Sequence, residues 1–406
     1  MKRLGIFLLY VYVGIFMSCS NLKENLDVEQ DREYRYSNIV LTIPESIVED
    51  SELQTKNTAI SNEDGSKWTF VWAQNDTIGI FPDNGSQIYF SMASGAGQVS
   101  ASFDGGGWAL KKGSSYYSYF PFTPDFYINK EAVPLTYVGQ VQTGNADPNI
   151  ANLGKYGYML AKGVADESTG SLYFNYEKLG CLSRAKIPVS KGTYNSLKVY
   201  TESDVLVQSG TFNAVEMSMN IDNPVFSNSL TINFEELSFE ESGILYAFFM
   251  MAPFNYENKQ ITLELLKSDG TREVSSVRGK LYERGQVYGM NSHLNISPAF
   301  VEISGSSGVF TFDILTFADY EYSVVSSDPT WLIPSIETGR GTTTVSVTAE
   351  KNEGGKRTGH ITVSETVNGV ELKNVVNVTQ YPDGFNVAIT GWNDSDVDYG
   401  GVAQPS

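Results

Sequence analysis

The stretch Ile261-Thr262-Leu263-Glu264-Leu265-Leu266, followed by Asp269-Gly270 and then by residues 271–277, decides the fold class. Its apolar residues recur at every second position, the period of a strand with one buried face. Asp-Gly tolerates the positive φ angles of a type I′ turn, so the stretch reads as a β-hairpin. Working outward, the same signature returns. Asn368-Gly369 stands between residues 361–363 and 370–380, and residues 39–43, 77–81, 172–176 and 343–347 alternate in the same way. No segment sustains a 3.6-residue period, although residues 149–160 leave room for one short helix. The expected fold is all-β, a series of β-sandwiches.

Composition narrows the chemistry. The 406 residues carry 47 Asp and Glu against 28 Lys and Arg, a net charge of −19. Nucleic acid is excluded as a partner, because phosphate binding needs clustered Lys and Arg. Two histidines, His293 and His360, and two cysteines, Cys19 and Cys181, give no basis for a zinc site or a Cys/His nucleophile pair. No cofactor, metal or catalytic residue is expected. Carboxylates are plentiful, but a glycosidase needs two at a set separation in a cleft. Asp394, Asp396 and Asp398 alternate, yet lack the Gly turn and bidentate Glu of a helix-loop-helix calcium site. Cys181, in an apolar run, reads as a buried thiol and His360 as a surface residue.

The N-terminus speaks of location. Met1-Lys2-Arg3 precedes an apolar run over residues 4–17, shorter than the ~20 residues of a membrane span but fitting a secretory signal. Phe16-Met17-Ser18-Cys19 resembles a bacterial lipobox, with Phe where that pattern prefers Leu. The resemblance implies acylation of Cys19, outer-membrane lipid as a partner and a surface-exposed location. The expected layout is signal peptide 1–18, tether 19–36, sandwiches 37–189 and 190–297, a third unit 298–381, and a tail 382–406.

Trp72-Ala73-Gln74-Asn75-Asp76-Thr77-Ile78-Gly79-Ile80-Phe81, then Tyr116-Tyr117-Ser118-Tyr119-Phe120-Pro121-Phe122, resemble the fimbrillin family, the Mfa-like lipoprotein subunits of type V pili. Residues 158–161, 172–189, 245–253 and 282–288 continue the resemblance in order. It implies two transthyretin-like pilin domains and assembly by strand exchange: a protease removes the first strand, and a neighbouring subunit's C-terminal strand fills the groove. Residues 39–43 would be that first strand. Arg35 and Lys56 are candidate maturation sites, Lys56 standing where a polymerising subunit more usually has Arg; an uncleaved anchored subunit is the standing alternative. Phe385, Val387 and Ile389 alternate as a donor strand would; an edge strand folded on its own chain, the commoner case, alternates in the same way. Asp76-Thr77 also matches a short O-glycan acceptor pattern.

A second resemblance covers residues 301–380. Asp328-Pro329-Thr330-Trp331-Leu332, residues 344–350, Asn352, residues 357–363 and the closing Val376-Asn377-Val378-Thr379-Gln380 resemble the BACON domain, an immunoglobulin-like sandwich. It implies binding of host or dietary glycans, with Trp331, Tyr320 and Tyr322 as candidate contacts, the two tyrosines expected to be exposed, although a Trp placed as Trp331 is in a small sandwich is more often a core residue. Two functions stay open: a fimbrial subunit (structural, anchor or tip) with other fimbrial subunits as partners, or a monomeric surface lipoprotein that binds carbohydrate or mucin through its third unit. Residues 387–392 resemble the last pilin strand, as if the third unit were inserted before it.

Overall fold

The structure, a computed structural model, describes residues 34–35, 39–42, 46–47, 59–61, 67–125, 127–145, 153–218 and 220–384, with side-chain environments from Phe70 onward, Ala109 apart. The chain is all-β, and its apolar side chains gather into three cores. Residues 153–156 form a single helical turn, and Met159–Val164 is already a strand, so the described part of the expected helix is one turn long.

The first unit is a rolled sheet with strands in the order Leu172–Asn175, Ile39–Thr42, Ser100–Asp104, Ile88–Ser94, Thr77–Pro82, Ser115–Phe120, Met159–Val164 and Glu177–Lys178. Gly163 lets the roll close: a Cβ there would lie 2.6 Å from the Tyr173 carbonyl oxygen. Trp72 centres the core, with Phe103, Phe120 and Tyr176 edge-on at 5.1, 5.4 and 5.7 Å. The sheet's middle is buried on both faces. Ile78 and Ile80 point into this core, whereas Phe81, stacked on Tyr119 at 5.5 Å, joins the core of the second unit. Double burial explains why Ser115–Phe120 reads as a continuous aromatic run and not as an alternation.

In the second unit, Cys181–Val189 lies between Gly243–Met251, antiparallel, and Val287–Asn291, parallel. A larger sheet faces it, in the order Gln140–Thr143, Ser229–Glu235, Gly192–Tyr200, Gln260–Lys267, Arg272–Arg278, Leu294–Ser297, Gly308–Thr316, Thr343–Ala349, Leu332–Pro334. That sheet runs without a break into the third unit. Leu294–Ser297 pairs with Arg272–Arg278 on one side and with Gly308–Thr316 on the other. Alternation divides this strand between two cores: Leu294 and Ile296 enter the third unit's core, while Asn295 turns to Pro188 and Glu273 of the second. The expected boundary at 189 thus falls at the end of a strand whose two neighbours both come from residues beyond it. The one at 297 falls at the end of the shared strand.

The third unit is a two-layer sandwich. Phe300–Ile303, Val370–Gln380, Arg357–Val367, Glu321–Ser326 and Thr338–Arg340 form the second layer. The Asn368-Gly369 hairpin has both residues at positive φ, 49° and 81°, as a type I′ turn requires. At Asp269-Gly270 only the glycine is left-handed, at 85°, and its N–H donates to the Lys267 carbonyl. The expected two-residue turn is therefore a longer one, because the Asp269 carboxylate accepts the Thr271 N–H at 2.8 Å and fixes the local backbone.

Candidate functional site

Ile39–Thr42 occupies an unusual place in the first unit. It runs antiparallel to Ser100–Asp104, with Ile39 opposite Phe103, and parallel to Leu172–Asn175, with Ile39 opposite Leu172. Neither neighbour is close in sequence, so no tight turn ties this strand to the sheet. Hairpins bind strands through short loops; a strand with no such loop to either ladder partner can leave as a unit. Its departure would open two oppositely running strand edges beside Phe103, Leu172 and Phe174, all fully buried. Such a slot takes an extended apolar segment by backbone hydrogen bonds and side-chain burial.

The two candidate cleavage residues differ in what they would release. Arg35 lies in Tyr34–Arg35, whose backbone pairs with Ala109–Leu110. A cut there leaves Ile39–Thr42 attached to the body. Lys56 lies outside the described residues, between Ser46–Ile47 and Ala59–Ser61, which flank Lys67–Phe70 on opposite sides. A cut at Lys56 separates Ile39–Thr42 and Ser46–Ile47 from the rest of the chain. Cys19, Phe385, Val387, Ile389, the residues 387–392 and the three alternating aspartates of the tail lie outside the described residues.

Where the first and second units meet, a cavity of about 80 Å³ is lined by Phe70, Trp72, Phe120, Met159, Leu182 and Met250. Lys178 and Asp76 also line it. The Lys178 ammonium sits 3.6 Å over the Phe70 ring, and burial pushes its pKa down to about 7. Burial likewise raises the Asp76 carboxyl above its usual range, while the Ala73 N–H it accepts at 2.7 Å pulls the other way. Half-buried and committed to this turn, Asp76 is a structural residue. The sequence marked neither this cavity nor Lys178, whose burial comes from Glu177–Lys178 pairing with Met159–Val164.

The third unit's candidates do not form a sugar platform. Trp331 is 4 % exposed, and its ring fits over Gly359, where a Cβ would come within 2.7 Å. The Arg357 guanidinium lies over the same ring at 4.3 Å. Tyr322, expected to be exposed, is equally buried: its ring lies over Gly339 and its hydroxyl donates to the Gly341 carbonyl at 3.1 Å. The correction has a simple cause, since Tyr322 alternates with Val324 toward the core. Tyr320 is half-buried and stacked on His293 at 3.9 Å, whose Nδ1 in turn lies 2.9 Å from Glu365 Oε2. This set fastens the third unit to the second. Cys181 is a buried free thiol and His360 is exposed. Among the described residues the most exposed aromatics are Tyr127, Tyr173 and Trp108, all outside the third unit. Trp108 follows Gly105-Gly106-Gly107, a run of glycines that could have flagged an outward loop. Among the described residues no group of His, Cys, Asp and Glu is placed to hold a metal ion, and no helix is long and apolar enough to cross a membrane.

Residues 321–381 match the model of the BACON family, described as "Putative binding domain, N-terminal". No curated protein sequence matches the chain. Among solved structures, a "putative cell adhesion protein" from Bacteroides ovatus is 16% identical, covering 64% of this chain and 92% of its own, with a TM-score of 0.38. Another from Bacteroides thetaiotaomicron is 10% identical over 63% of this chain and 92% of its own, with a TM-score of 0.31. A xyloglucanase from Bacteroides ovatus, solved with a heptasaccharide, is 25% identical over 21% of this chain, with a TM-score of 0.18. The chain spans 17% of that enzyme's length.

Proposed function

We propose that this chain is a surface-adhesion subunit that joins a fimbria by strand exchange, its first unit receiving a strand from a second copy in place of Ile39–Thr42. The single observation that carries the reading is the position of that strand, inserted between Ser100–Asp104 and Leu172–Asn175 without a turn to either. In this reading Cys19 carries the lipid that delivers the chain to the outer membrane, and a cut at Lys56 frees the slot. Phe385, Val387 and Ile389 of the incoming copy then supply the alternating strand. The BACON domain rides on the second unit as a rigid extension, through the shared strand Leu294–Ser297 and the contacts of Gln260 and Ser276 with the Lys373 backbone.

The test is to replace Thr55-Lys56-Asn57 by a site for a specific protease, cut the purified full chain, and run it unheated on denaturing gels. Ladders that collapse on boiling are expected, and Val387→Asp with Ile389→Asp should abolish them. A cut chain that stays monomeric, with or without its N-terminal fragment, sinks the reading.

A further inference from the structure

The second unit closes one of its sheet edges in a way the first does not. Gly243–Met251 is the edge strand beside Cys181–Val189, and among the described residues no backbone strand pairs with its outer side. Its outward backbone groups are met by side-chain amides instead. Gln140 accepts the Met250 N–H and donates to the Met250 carbonyl, both at 2.7 Å. Gln142 accepts the Phe248 N–H at 2.8 Å and donates to the Tyr246 carbonyl at 2.7 Å. Asn145 accepts the Tyr246 N–H at 2.7 Å and donates to the Ile244 carbonyl at 2.8 Å. A primary amide carries one acceptor and two donors, so each side chain bonds the edge as a strand residue would. Meanwhile the backbone of Gln140–Thr143 runs parallel to Ser229–Glu235 in the facing sheet. One segment therefore serves two sheets, the first through its main chain and the second through its side chains.

We propose that Gln140, Gln142 and Asn145 are a fixed side-chain strand that bars a second copy of this chain from adding to the Gly243–Met251 edge. An unpaired edge of nine residues, mostly buried and aromatic-rich, is a template for another chain's strand. Unlike Ile39–Thr42, the barrier lies in mid-chain and is anchored by the buried Gln140 and Gln142, so no single cut releases it. The proposal rests on the strand-exchange reading only for the identity of the partner. It confines exchange to the first unit and gives an assembling subunit one acceptor.

The test uses the uncut full chain, whose first unit keeps its own strand, so its outcome is separate from that of the cleavage experiment. Gln142→Leu and, at the half-buried end of the ladder, Asn145→Ala are compared with wild type by amide hydrogen exchange and sedimentation velocity. Expected are exchange at least ten-fold faster at the Phe248 N–H in Gln142→Leu and at the Tyr246 N–H in Asn145→Ala, with concentration-dependent self-association of both variants. If Gln142→Leu does not fold, Asn145→Ala alone decides. Faster exchange with a strictly monomeric variant reduces the ladder to internal packing and overturns the proposal, as does unchanged exchange.

Discussion

The first and second units solve the same problem with different parts. A sandwich must satisfy the backbone groups along its sheet edges, or another chain will do so. The first unit inserts Ile39–Thr42, a strand from the chain's N-terminal side whose two ladder partners are both far from it in sequence. The second bonds its Gly243–Met251 edge to amides of an internal segment. A strand near a terminus can be removed without cutting the rest of the fold; an amide row inside the chain cannot. On the strand-exchange proposal, replaceability belongs to the first unit and is withheld from the second.

The comparison is broken most severely by attacking what holds the second unit rigid. Glu273 is fully buried, 2.9 Å from the Lys267 ammonium, and accepts from Ser190, Tyr194 and Asn295. Glu273→Gln leaves Lys267 charged and unpaired in the interior, which costs about 3–5 kcal/mol. Urea denaturation should show that loss. Because Asn295 lies on the shared strand, the BACON domain and the second unit should melt together in the variant. Separate transitions by near-ultraviolet and far-ultraviolet dichroism would break the claim that the shared strand couples the two units.

In the first unit, Trp72→Ala removes the ring that Phe103, Phe120 and Tyr176 pack against. A loss of about 3–5 kcal/mol is expected from the cavity. It should weaken retention of Ile39–Thr42, read as faster hydrogen exchange in Ser100–Asp104, while leaving Phe248 and Met250 protected. Equal loss of protection in both units would show that they do not close independently.

A smaller effect sharpens the boundary between the two units. Lys178 titrates at about 7 in the fold, against the ordinary 10.5 of a lysine. Between those values the unfolded chain binds the extra proton, so stability rises with pH across that window and is least below it. The melting temperature should climb as pH is raised from about 7 toward 10, and Lys178→Met should flatten the climb. An unchanged slope in the variant assigns the pH effect to other groups. Smallest of all, Trp108→Ala should alter stability by no more than ~0.5 kcal/mol, since the ring is 59 % exposed. A larger loss would mean that the glycine-borne loop is part of the first unit's closure.

How far these features could be read in advance varies by position. Asn368-Gly369 announced its hairpin because two left-handed residues in a row are a local demand. Val345, Val347, Ile361 and Val363 announced core-facing strands by alternation, and the BACON domain itself was legible through the resemblance of residues 301–380. The alternation of Glu321–Ser326 equally placed Tyr322 inward, but a tyrosine suits a surface as well as a core, and only Gly339 beneath its ring decides. Gln140 and Gln142 offered no signal at all. Two glutamines in a polar stretch look like a solvated strand until the distant Gly243–Met251 edge is brought against them.

The sequence by itself determined the all-β class, where most strands run and the hairpin at Asn368-Gly369, because period-two patterning and turn chemistry act within a few residues; the third unit was legible by its resemblance to the BACON domain, which residues 321–381 match. Only the tertiary structure decided which strand faces two cores, which edge is closed by backbone and which by amides, and where Lys178 is buried. Those outcomes depend on neighbours far apart in the chain: Ile39 beside Leu172, Gln140 beside Met250, Leu294 beside Thr316. A residue's pattern tells which way it points within its own strand, but not what the fold will set against it.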